Sequence, residues 1–79
     1  MTPVEIFEYK QKWMASENNH PFSFHSDYRR YAKDWCKKQL HQCQFKHSEY
    51  TDVYEDTLYF EHYQDQEEFE LFLKKITSS

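Results

Sequence analysis

Four residues of the types that bind zinc, Cys36, His41, Cys43 and His47, fall within twelve positions. A structural zinc site needs short Cys and His pairs that converge from a turn. On a single helix of 3.6 residues per turn, Cys36 and His41 project about 140° apart. That spacing opposes a metal centre and favours core thiols with surface histidines. It also opposes a disulfide, because seven residues of helix hold the two cysteine Cα atoms about 10 Å apart. His25-Ser26-Asp27 contains the residue types of a hydrolytic triad. Sequence neighbours point in different directions, however, and a triad is made by geometry, so a strand end and a helix cap is the plainer reading. The acids Glu49, Asp52, Glu55, Asp56 and Glu61 lack the glycine that a calcium loop requires and read as a solvated acidic face. No catalytic residue, metal or cofactor is expected.

The better candidates are surfaces. From Tyr28 to His47 there are six basic residues (Arg29, Arg30, Lys33, Lys37, Lys38 and Lys46) against the single acid Asp34. From Glu49 to Leu73 there are nine acids and no Lys or Arg. Such blocks suit oriented docking on a protein. The basic block also has the groups to meet phosphates, with Tyr28 or Tyr31 to stack on bases. Against nucleic acid stand a sequence pI of 5.7 and the acidic block in the same small domain. The residues assigned to partner binding are Arg29, Arg30, Lys33 and Lys37 on the basic side, and Asp52, Tyr54 and Glu55 on the acidic, Tyr-rich side.

These residues must be carried by few elements. Thr2-Pro3-Val4-Glu5 reads as a helix start, with a Thr cap, proline at the first helical position and Glu closing a capping box. Ile6, Phe7, Trp13 and Met14 then share one face, although Val4, Ile6 and the aromatics would also suit a strand. Residues 18–21 form a turn cluster, and Phe22-Ser23-Phe24 alternates as a strand does. Ser26 or Asp27 caps a second helix running to about Cys43. Its core stripe is Tyr28, Tyr31, Ala32, Trp35, Cys36, Gln39 and Cys43, with Arg30, Lys33 and Lys37 on the wet side. Phe45 to Tyr63 reads as a hairpin broken at Tyr54-Glu55-Asp56. A last helix from about Asp65 aligns Phe69, Phe72, Leu73 and Ile76, with acids in its first turn and Lys74 and Lys75 in its last. The order α-β-α-β-β-α predicts an α+β fold, a small antiparallel sheet of about three strands with helices packed on one face.

Composition bounds the rest. Seventy-nine residues make one domain, 1–79, with a thin core. Leu, Ile, Val and Phe number only fifteen, a fraction low enough to suggest disorder. Sixteen aromatics and a net charge of only -4 reverse that reading and predict an aromatic core. Glycine is absent, which excludes phosphate loops, dinucleotide turns and nucleophile elbows. No apolar run reaches membrane-spanning length, and Lys10 and Lys12 interrupt the N-terminal apolar stretch, so a soluble protein without membrane contact is expected. Two cysteines fit thiols in a reducing cytoplasm.

His25-Ser26-Asp27, Ala32-Lys33-Asp34-Trp35-Cys36, and Tyr50-Thr51-Asp52-Val53-Tyr54-Glu55-Asp56-Thr57 through Phe60-Glu61 resemble small uncharacterised proteins of tailed phages that infect marine cyanobacteria. The resemblance covers roughly residues 4 to 72, and its specific parts are the Asp-Trp-Cys and Tyr-Thr-Asp-Val-Tyr blocks. It implies a viral accessory protein made in the host cytoplasm during infection and carries over no activity. Together these readings predict a small binding protein without catalysis that docks on a host or phage protein and modulates it. The alternatives are nucleic-acid binding through the basic helix and a small metal-dependent enzyme.

Overall fold

The computed structural model describes residues 2–17 and 19–78. Helix α1 spans Pro3–Ala15 and is closed by the expected capping box: the Glu5 amide donates to the Thr2 hydroxyl, and the Thr2 amide donates to the Glu5 carboxylate, each at 3.2 Å. The segment is therefore a helix and not a strand. Strand β1 spans His20–His25, so His20 and Pro21 begin a strand where a turn was expected; Asn18 lies outside the described residues. Proline is tolerated there because β1 is an edge strand.

A 3-10 turn, Ser26–Tyr28, leads into α2, Arg29–Gln39. The helix stops four residues before Cys43. Leu40 turns extended after donating its amide to the Cys36 carbonyl (2.9 Å), and its side chain joins the core. Cys43 instead lies in a second 3-10 turn, Gln42–Gln44, before strand β2, Phe45–Asp52. Strand β3, Glu55–Phe60, and helix α3, Tyr63–Thr77, complete the chain. The hairpin turns at Val53-Tyr54, ahead of the expected break, and α3 starts two residues earlier than Asp65.

The sheet is antiparallel in the order β1-β3-β2. Alternation along β3 puts Asp56, Leu58 and Phe60 on one face, opposite Phe24, Phe22 and His20 of β1. His47 and Phe45 of β2 stand beside Leu58 and Phe60 on that face. Helices α2 and α3 cover it. Phe24, Ala32, Cys36, Leu58, Phe60, Phe69 and Leu73 form the buried cluster. Phe69 is its hub, with ring centroids 5.4 to 5.9 Å from Trp35, Phe24, Phe60 and Phe22. The fold is α+β, with the aromatic core that the composition implies.

The stripe of α2 is rotated from the expected one. Ala32 and Cys36 are buried, Tyr28 and Trp35 only half-buried, and Tyr31 and Gln39 exposed. Arg29, three residues before Ala32, is thereby brought to the inner edge of the helix. Helix α1 lies across one end of the sheet: the Trp13 indole N–H donates to the Cys43 carbonyl (2.8 Å), and Lys10 sits over the Phe45 ring (5.3 Å). Among the described residues, no helix is long and apolar enough to cross a membrane.

Candidate interaction surface

Asp56, expected on a solvated acidic face, is wholly buried. Arg29 donates to it twice, from Nε to Oδ2 (2.6 Å) and from Nη2 to Oδ1 (2.8 Å), a bidentate pair. The Tyr50 amide donates to Oδ1 (3.2 Å), and His47 Nε2 lies 2.8 Å from Oδ2. The hydrogen bond from Arg29 is the main reason that the carboxyl is held well below the usual range, against the opposing push of burial. An ionised carboxylate only accepts, so His47 must donate through Nε2. Its Nδ1 is buried without a hydrogen-bond partner.

This network sets the hairpin. The chain has no glycine, yet Tyr50 and Tyr54 have φ of 56° and 66°, in the left-handed region. A bulky residue there costs roughly 1–2 kcal/mol and persists only where its surroundings over-determine it. For Tyr50 the determinants are the amide bond to Asp56, a hydrogen bond from Arg29 Nη1 to its hydroxyl (2.9 Å) and the guanidinium 4.0 Å over its ring. For Tyr54 they are its carbonyl, which accepts from the Ser26 amide (2.8 Å), and its ring, stacked on His25 at 6.1 Å. Asp52 accepts the Val53 amide (2.7 Å) and steadies the turn. The result is an exposed apolar tip: Tyr50 is 69% exposed, Val53 75% and Tyr54 68%.

The two surfaces expected from sequence adjoin. Lys33 of α2 pairs with Glu49 of β2, and Arg29 bridges α2 to Tyr50 and Asp56. Arg29 and Lys33 are thus engaged by acids of the same chain, Arg29 at the buried Asp56 and Lys33 at the surface. Arg30 and Lys37 remain exposed, and Lys38 pairs with Asp34 on its own helix (3.1 Å). Asp52 and Tyr54 stand at the tip, and Glu55 is half-buried at the start of β3. Sequence reasoning missed Asp56, His47 and Tyr50. The period-two run Asp56, Leu58, Phe60 was the signal for Asp56, obscured by placing the hairpin break on Asp56 itself.

His25 Nδ1 accepts the Asp27 amide (3.1 Å), a cap on the 3-10 turn, and the Ser26 amide serves Tyr54. Both cysteines are free: Cys36 is buried, with its thiol pushed up to about 12 mainly by burial, whereas Cys43 is half-buried. No group of three or more His, Cys, Asp or Glu side chains converges on a metal-sized site among the described residues. Comparison with protein-family models, curated proteins and solved structures finds no match.

Proposed function

We propose that the chain is a non-catalytic binding protein that docks on a protein through one continuous surface, the tip of the β2–β3 hairpin together with the outer side of α2. The observation that carries this reading is the tip itself. Tyr50, Val53 and Tyr54 expose apolar side chains, with Tyr50 held in a left-handed conformation against the buried Arg29–Asp56 pair and Tyr54 in another by the Ser26 amide and the His25 ring. Strain maintained to present aromatic groups to water is characteristic of a contact site, and tyrosines are preferred anchors. Arg30 and Lys37, exposed on α2, supply charge that steers an acidic partner. The resemblance to phage proteins supports a host or phage protein as that partner, with its activity modulated in the host cytoplasm.

The test compares proteins captured from lysate by the native chain, by Tyr54→Asn and by Arg30→Glu with Lys37→Glu. A partner retained by the native chain and lost by both variants supports the reading. Equal capture by all three rejects it. Nucleic acid is the second reading, because Tyr50 offers a stacking ring beside cations. The acids Asp27, Asp34, Glu49 and Asp52 interleave with those cations and oppose a phosphate backbone. Salt-dependent retention of single-stranded DNA or RNA, lost in the Arg30 and Lys37 double variant, would establish it instead.

A further inference from the structure

A cleft of about 290 Å³ opens between α2 and the edge strand β2. Lys33, Cys36 and Lys37 of α2 line one wall, and Phe45 and His47 of β2, with Leu58 of β3, line the other. Cys36 and Leu58 are fully buried and Phe45 partly, whereas both lysines are exposed. One polar atom of this lining is unsatisfied. The His47 side chain is only 10% exposed, and its Nε2 is taken by Asp56 at 2.8 Å. The two nitrogens of an imidazole point to opposite sides of the ring, so Nδ1 turns away from Asp56, toward the end of the strand where Phe45 stands. No donor of the protein reaches it, not even the Cys36 thiol on the facing wall.

We propose that this cleft binds a small aromatic carboxylate that carries a hydroxyl group. Size, polarity and charge select that class. An apolar cavity of about 150 Å³ accepts benzene, so the cleft has room for one ring with two substituents. Cys36, Phe45 and Leu58 give that ring an apolar bed with an aromatic neighbour. With its proton on Nε2, His47 offers only a lone pair at Nδ1, so the ligand must bring the donor, and a hydroxyl does so without adding positive charge beside two lysines. At the mouth Lys33 is held by Glu49, whereas Lys37 has no ion pair among the described residues and is open to a carboxylate. The lysine stems are the exposed part of the lining, so a shift of their rotamers, with no change in the backbone, admits the ligand as far as the His47 ring. The site shares Lys37 with the docking surface but does not rest on that reading.

The test is an NMR titration of the full isotope-labelled chain with para-hydroxybenzoate near pH 7, where the carboxylate is ionised and the phenol is not. The expected result is saturable shifts at the amides of Cys36, Lys37, Phe45 and His47, with a Kd of about 1 mM, the scale for so small a ligand. The His47 Nδ1 resonance should move with them. Benzoate lacks the donor and phenol lacks the charge, so each should bind at least about fivefold more weakly, and of the two only phenol should move Nδ1. Lys37→Glu, at an exposed position, should weaken para-hydroxybenzoate at least about tenfold and leave phenol unchanged. Shifts that stay linear to about 20 mM, or that scatter over the chain, overturn the site. Equal affinity for benzoate and para-hydroxybenzoate overturns the part assigned to His47, and affinity indifferent to Lys37→Glu overturns that of Lys37. No partner protein enters the titration, so neither result bears on the docking reading.

Discussion

Asp56 holds α2 and the hairpin together, and its chemistry has two consequences. Replacing it with Asn leaves the Arg29 charge and His47 facing a neutral amide. Breaking a buried pair in this way costs about 3 to 5 kcal/mol, comparable with the whole stability of a small domain. Urea unfolding should show Asp56→Asn largely unfolded or shifted by that amount. The second consequence is acid sensitivity. The folded carboxyl is held well below its usual range, chiefly by the hydrogen bond from Arg29. Its stabilising contribution is therefore complete above the unfolded Asp value near 3.9 and is lost as pH falls from there toward the depressed folded value. Melting temperatures measured below about pH 4 should fall more steeply for the native chain than for any Asp56→Asn that remains folded. Cys36 behaves in the opposite sense: burial pushes its thiol up to about 12, so it should resist thiol reagents at pH 8 until the chain unfolds.

Among the elements, the hairpin and the aromatic layer are built to different ends. The β2–β3 hairpin retains two left-handed tyrosines, Tyr50 within β2 and Tyr54 in the turn, where glycine or asparagine would be easier. Tyr54→Asn should therefore leave stability within about 1 kcal/mol, since relief of strain offsets the lost stack on His25, while partner capture falls. Thermal melting and capture measured on the same sample separate the two effects. In the layer between sheet and helices, by contrast, packing alone decides. Phe69 is fully buried among five other rings, so Phe69→Ala should cost about 3 to 5 kcal/mol. Trp35 is half-buried against Phe69 and Phe72, and Trp35→Ala should cost clearly less. Equal urea midpoints for the two variants would contradict this ordering.

At the scale of the molecule, charge separated along the chain is partly rejoined in space. The basic and acidic blocks meet between α2 and the β2–β3 hairpin through Lys33 with Glu49 and Arg29 with Asp56. On α2, Arg30 and Lys37 remain exposed. Arg30→Glu with Lys37→Glu should leave melting nearly unchanged, as surface substitutions away from such pairs do. It should slow association with an acidic partner and reduce its salt dependence, readable by surface plasmon resonance at two ionic strengths. Including Lys33 in the reversal would place a new acid beside Glu49 and loosen the hairpin, so a change in binding would no longer report docking alone.

Local chemistry was legible from the residues alone. The Thr2-Pro3-Val4-Glu5 capping box, the α-β-α-β-β-α order, the aromatic core and the stripe of α3 each depend on neighbours within a few positions, and each appears in the fold. The candidate surface was legible in part: Arg30, Lys37 and Tyr54 are exposed, whereas Arg29 turns inward to a carboxylate 27 positions away. A rotation of α2 by a fraction of a turn exchanges Arg29 for Tyr31, and helical periodicity with so many aromatics does not distinguish those settings. Placement of β3 is decided in the same way. Asp56 belongs to the buried face once the strand begins at Glu55, and burial of a carboxylate is tolerable only when Arg29, His47 and the Tyr50 amide converge on it. That convergence brings Arg29 onto a hairpin 27 positions away, so no local pattern encodes it, and only the packing of α2 against the sheet brings it about.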